Sequence, residues 1–145
     1  MKKLCCLCIF VLLFMSDWGA IANDVIRDWG GVWQLNSTDG HFGGKMKISN
    51  CTNTKCDFAI QSWHKLHTCE VNGMLMLKAP NQGVYDSKKH MYDKFKDSEY
   101  FVPVGINFEL LPDGNLNLEY KNPDSDSAFC GMSATVEGVW TKQKN

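Results

Sequence analysis

Residues 106–120 read INFELLPDGNLNLEY, and this stretch decides the fold. Ile106, Phe108 and Leu110 alternate with Asn107 and Glu109. Leu116, Leu118 and Tyr120 then alternate with Asn117 and Glu119. A period of two puts each apolar set on one face of a strand. Between the runs, Pro112-Asp113-Gly114 carries the chemistry of a hairpin turn, because Pro fixes φ and Gly accepts a positive one. A lone hairpin is marginal in water, so this one requires further strands to cover its apolar face.

Those strands are legible on both sides. In GKMKISN (44–50), Met46 and Ile48 alternate with Lys45, Lys47 and Ser49; in CDFAIQSW (56–63), Cys56, Phe58 and Ile60 share a face. SATVEGVWTK (133–142) aligns Ala134, Val136, Gly138 and Trp140. TCEVNGMLMLKA (68–79) and GVYDS (83–87) are weaker strands, the first with an expected bulge at Asn72-Gly73. With GVWQLN (31–36) they make about eight short strands. The expectation is an all-β chain forming one small antiparallel barrel. Residues 87–101, SKKHMYDKFKDSEYF, break the alternation. Met91 and Phe95 stand four apart with Tyr92 beside them, which predicts a short helix or ordered loop near 87–97.

The word Gly-Val-Trp stands near both ends of the folded region, at 31–33 and 138–140. A closed barrel pairs its first and last strands and so removes its edges. The repeat is therefore expected at the closure seam, with Trp33 and Trp140 facing inward on neighbouring strands. Gly31 and Gly138, two positions earlier on the same face, are expected to leave room for a ring from across the barrel.

The chain of 145 residues opens with Lys2 and Lys3, an apolar run from Leu4 to Met15, and Ala20-Ile21-Ala22. That is the pattern of a secretory leader, too short in its apolar part for a membrane span. The expectation is a signal peptide over 1–22 and a single β-barrel domain over 23–145. Loss of Lys2, Lys3 and Asp17 takes the charge from 15 basic and 16 acidic groups to 13 and 15, a net of −2. That balance argues against nucleic acid as a partner and against a polybasic membrane anchor. Cys51, Cys56, Cys69 and Cys130 remain, an even number in an exported chain. Cys51 and Cys56 flank the polar TNTK between two strands, which predicts a hairpin clamp there and leaves Cys69 for Cys130. The expected stabilisation is about 2 kcal/mol for the short loop and about 4 kcal/mol for the long one.

Three motifs carry a resemblance. Gly31-Val32-Trp33 resembles the Gly-x-Trp signature of lipocalin-like barrels. The ending FCGMSATVEGVWTK (129–142) and the segment HTCEVNG (67–73) are similar to segments of small exported bacterial barrel proteins, in the style of periplasmic lysozyme inhibitors. The resemblance implies a barrel, export to the periplasm or medium, and action by blocking a protein partner such as a cell-wall hydrolase or toxin.

The remaining chemistry-bearing residues divide as follows. Glu70, Glu109, Glu119 and Glu137 sit on outward phases, and no nucleophile elbow, free Cys with His, or phosphate-cradling glycine loop occurs, so no enzyme is expected. No cofactor is expected either. His64, His67, Met74 and Met76 would suit copper or zinc only if a turn drew them together. The partner-binding candidates lie in 86–101: Lys88, Lys89, His90, Tyr92, Lys94, Phe95 and Lys96, where basic and aromatic residues mix. Asp86, Asp93, Asp97 and Glu99 balance that charge in sequence, so an amphipathic lid whose charges are merely solvated is the competing reading of this segment. The expected function is an exported, non-enzymatic binding protein that inserts this segment into a partner. The alternatives are a carrier of a small apolar ligand and, behind it, a copper or zinc protein. The bulky series Trp33, Phe58, Phe108 and Trp140 would fill a small barrel and speaks against a carrier.

Overall fold

A computed structural model describes residues 29–36, 40–130 and 134–144. The expected leader over 1–22 lies outside the described residues. The strands are β1 (Gly31–Asn36), β2 (Phe42–Ser49), β3 (Lys55–His64), β4 (His67–Ala79), β5 (Gln82–Asp93), β6 (Ser98–Leu110), β7 (Leu116–Tyr120) and β8 (Gly138–Lys142). Each pairs antiparallel with the next, and β8 returns to β1, closing the barrel in up-and-down order. A short helix, α1 (Pro123–Phe129), lies in the connection between β7 and β8.

The period-two readings hold through most of the chain, with Leu110 and Tyr120 only partly buried and residues 134–137 outside β8. Met46, Ile48, Cys56, Phe58, Ile60, Ile106, Phe108, Leu116 and Leu118 are buried in one core. Lys45, Lys47, Asp57, Gln61, Asn107 and Glu119 face out and are accessible. A polar outside around an apolar inside is the inverse of a transmembrane barrel, whose wall is apolar outward. Among the described residues no helix is long and apolar enough to cross a membrane. At the 111–115 turn, Gly114 has φ of 83° and its N–H donates to the Leu111 carbonyl at 3.0 Å.

At the seam, Trp33 and Trp140 are both fully buried. Trp33 pairs with Lys142, whose ammonium lies 5.3 Å from the ring centroid, and Gln34 pairs with Thr141. The repeated word turns out to be a repeated local geometry. Gly31 and Gly138 have φ of 140° and 129°, a region side-chain-bearing residues rarely adopt. After each bend, the indole N–H reaches the carbonyl four residues back. Trp33 Nε1 donates to Trp29 O at 3.2 Å, and Trp140 Nε1 to Val136 O at 3.0 Å. Each buried indole thereby finds the partner it requires. The expected role of these glycines is corrected accordingly. A side chain at Gly31 would meet the Lys142 stem, and one at Gly138 would meet Leu35. Room for the Trp140 ring comes from Gly44, where a Cβ would lie 2.6 Å from the ring.

Two further expectations are corrected. No bulge interrupts Asn72-Gly73, since β3 and β4 pair in register from Lys55↔Met76 to His64↔His67. Gly73 serves instead to seat the Tyr85 ring, and the irregularity falls at Leu77/Ala79 against β5. Residues 87–97 are not a helix. They form the end of β5 and a turn, and β5 pairs with β6 from Gln82↔Glu109 to Asp93↔Ser98. The helix stands at Pro123–Phe129, where Asn122 caps Ser125 N–H at 3.1 Å and Pro opens the first turn. That is a strong start signal.

Both disulfides form as expected, Cys51–Cys56 and Cys69–Cys130. The first clamps the β2–β3 connection. The second ties the end of α1 to β4.

Candidate functional site

Strand directions place the connections at two ends. At one lie the Cys51–Cys56 clamp, the Pro80-Asn81 turn, the 111–115 turn, and the chain on either side of the seam at Trp29 and Gln143. At the other lie the β1–β2 connection, the Lys65-Leu66 turn, the Lys94–Asp97 turn and α1. The candidate site belongs to this second end.

Its foundation is a stack of rings across the barrel mouth. Phe58, Tyr85, Phe129 and Tyr120 follow one another with centroids 5.0, 5.7 and 6.4 Å apart. The Tyr120 hydroxyl accepts from Val136 N–H at 3.2 Å and lies 3.2 Å from Cys130 Sγ. Burial, the largest influence, raises its pKa above the ordinary tyrosine value, so the hydroxyl stays protonated through the neutral range. Ser125, fully buried on α1, accepts from Gly105 N–H at 2.9 Å and donates to Asn122 Oδ1 at 2.9 Å. These contacts fix α1 against β6.

From this base the β5–β6 hairpin rises free. β4 pairs with β5 only between Met76↔Val84 and Ala79↔Gln82, and β7 pairs with β6 only from Ile106 to Leu110. Lys89 Nζ donates to Ser127 Oγ at 2.9 Å, the outermost tie to α1 among the described residues. Beyond Lys89↔Val102 four more residue steps carry the hairpin about 14 Å further at the usual rise per residue.

This projection is braced from within. Asp93 Oδ1 accepts from Phe95 N–H at 2.9 Å and Lys96 N–H at 3.3 Å, a side-chain-closed turn. The Tyr92 hydroxyl donates to Asp97 Oδ1, and that carboxylate holds the phenol pKa above its ordinary value. His90 Nε2 lies 3.1 Å from Glu99 Oε2, and Phe101 covers the imidazole at 5.2 Å. Lys96 lies 3.7 Å from Asp93. The result displays Phe95 with 102% exposure, and Tyr92, Tyr100 and Phe101 behind it are also exposed.

The residues singled out from the sequence therefore fall into two groups. Tyr92, Lys94, Phe95 and Lys96 gather at the tip, with His90 one step behind. Lys88 pairs across from Pro103, and Lys89 ties the hairpin to α1. Sequence reasoning missed Leu66, 97% exposed at the neighbouring β3–β4 turn. Its signal was an isolated Leu within the polar run His64-Lys65-Leu66-His67.

The other chemistry stays dispersed. His64 and His67 pair directly across that turn, whereas Met74 and Met76 stand seven and nine residues further along β4 than His67. No group of three or more His, Cys, Asp or Glu that could hold a metal assembles among the described residues. Glu70 accepts from Gln61, Glu119 from Asn117 and Glu137 from Tyr120 N–H, all in exposed positions. A trough of about 360 Å³ runs over Val32, Lys47, Ala59 and Asn72, and another of about 310 Å³ over Lys78, Val84 and Glu109. Both lie on the outer wall. Trp33, Phe58, Phe108 and Trp140 are at most 3% exposed, so side chains fill this part of the interior.

No family model matches the chain, and neither a curated protein nor a solved structure matches it.

Proposed function

We propose that this chain is an exported, non-enzymatic binding protein that presents the β5–β6 hairpin to a protein partner. By this reading it is an inhibitor or immunity-type protein that blocks a cell-wall hydrolase or toxin in the periplasm or outside the cell. Export is supported by the leader-like residues 1–22 and by two disulfides, which persist in oxidising compartments.

One observation carries the binding role: an internally braced hairpin that holds Phe95 fully in solvent. A solvated lid would have no reason to order such a tip, because each brace costs conformational freedom. A binding element gains from it, since order set beforehand is not lost on association. Aromatic side chains are also the residues that dominate interface energies. The rings of Trp33, Phe58, Phe108 and Trp140, which fill one part of the interior, favour this reading over a small-ligand carrier.

The test is capture from periplasmic extract and secreted medium with the mature protein, repeated with Phe95→Ala and Tyr92→Ala. Retention of one specific protein by the wild type, with at least a tenfold loss in both variants, supports the reading. Undiminished retention by both variants would overturn it.

A further inference from the structure

The β3–β4 and β5–β6 hairpins are neighbours in the ring, and their turns point to the same end of the barrel. Each turn displays one large apolar side chain in full solvent, Leu66 and Phe95, with lysine next to it in sequence: Lys65 before Leu66, Lys94 and Lys96 on either side of Phe95. We infer that these two turns form one two-pronged recognition surface, and that its partner is a protein with two apolar recesses bordered by carboxylates. This rests on the binding role proposed above and adds to it a second contact and the chemistry of the receiving site.

The charge argument turns on which groups are already engaged. In sequence the acids of the hairpin balance its lysines. In the structure those acids stay accessible but each is engaged by a group of the hairpin itself. Asp93 closes the turn and faces Lys96, Asp97 receives the Tyr92 hydroxyl, and Glu99 faces His90. Lys65 and Lys94 make no ion pair among the described residues. The outermost points of both prongs are therefore apolar and cationic together. Carboxylates beside an apolar recess complement that arrangement, and such complementarity acts mainly on encounter rate and on rejection of wrong partners.

A lipid surface fits less well. The Tyr92 hydroxyl, which would address headgroups, is taken by Asp97. The turns are also convex and singly tipped, so they match recesses more readily than they match a second flat face.

Site-specific photocrosslinking tests this. A benzophenone side chain is placed at Leu66, at Phe95, or at exposed Lys47 on the outer wall, in the otherwise intact mature protein, and irradiated in periplasmic extract. The expected result is one and the same protein adduct from positions 66 and 95 and none from 47. Leu66→Ala should lower the adduct yield from position 95 about tenfold at fixed extract concentration, and raising salt should lower it further. An adduct from 95 alone, unaffected by Leu66→Ala, overturns the two-pronged surface and leaves the hairpin's binding role standing. Adducts from neither position overturn both. Lipid adducts at both positions would reassign the surface to a membrane. Circular dichroism of Leu66→Ala, expected to match the wild type, separates lost contact from lost fold.

Discussion

The two ends of the barrel use the same residue types for opposite purposes. At the seam end the rings are enclosed: Trp29 is fully buried and donates through Nε1 to the Pro80 carbonyl at 2.9 Å, and Trp33 donates back to Trp29. At the hairpin end, Tyr92, Phe95, Tyr100 and Phe101 are exposed although Asp93 closes the turn of the hairpin that carries them. An aromatic side chain left in water by a floppy loop would mean little, since single exposed apolar residues are common. Four of them on one braced projection are the surface that the proposed binding role assigns to a partner. The comparison separates what stabilises the fold from what is displayed, and the two sets hardly overlap.

The sharpest way to break that separation is at the seam. Trp33→Ala and Trp140→Ala should each destabilise by about 3–5 kcal/mol, as measured by urea unfolding. Near-neutral effects of both would mean the enclosed end is not the stabilising one. Next in size, Cys69→Ala with Cys130→Ala should cost about 4 kcal/mol, against about 2 kcal/mol for removal of the Cys51–Cys56 pair. The reverse order would show that α1 is poorly anchored and that the seam-end clamp carries more of the fold.

How much of this was legible beforehand follows from what each segment packs against. The residues 106–120 and the tryptophans of the Gly-Val-Trp repeats read correctly because one of their faces is buried, and burial is what enforces alternation. The stretch 87–97, read as a short helix or ordered loop, is strand and turn instead because the hairpin leaves the barrel there. With both faces wet, Lys88, Lys89 and His90 can follow one another, and only the four-residue spacing of Met91 and Phe95 remained as a pattern. The helix at 123–129 went unread, because it is too short for an apolar periodicity and only Asn122-Pro123 marks its start. The carboxylate commitments at the tip depend on cross-strand neighbours, which composition does not reveal.

A smaller effect probes the packing between the ends. Gly44→Ala should destabilise by about 1–3 kcal/mol, because the new methyl meets the Trp140 ring with the Gln61 carbonyl and the Ser62 Cβ also close. Ser62, whose buried Oγ has no hydrogen-bond partner among the described residues, gives the opposite sign. Ser62→Ala should be neutral or stabilising by up to about 1 kcal/mol, since an unmet desolvation cost disappears. Calorimetric melting of both variants checks the contrast.

The mildest expectation concerns alkaline pH. The folded-state pKa of Tyr120 is raised, so the native state holds this proton more tightly than the unfolded chain. Its contribution is fully present below the ordinary tyrosine pKa of 10.0 and declines as pH rises through the folded value. Melting temperature should fall above about pH 10, and less steeply in Tyr120→Phe. Equal slopes would remove Tyr120 from the account of the helix end.

The division between a stabilising barrel and a displayed hairpin is tested most directly by shortening the hairpin. Residues His90–Phe101 are replaced with Asn-Gly, a two-residue turn suited to joining Lys89 and Val102. Stability by urea unfolding is then measured together with retention of the captured partner. The account predicts a change in stability within about 1 kcal/mol, since the excised side chains are mostly exposed, and complete loss of partner retention. A shortened protein that fails to fold, or one that still retains the partner, would contradict it.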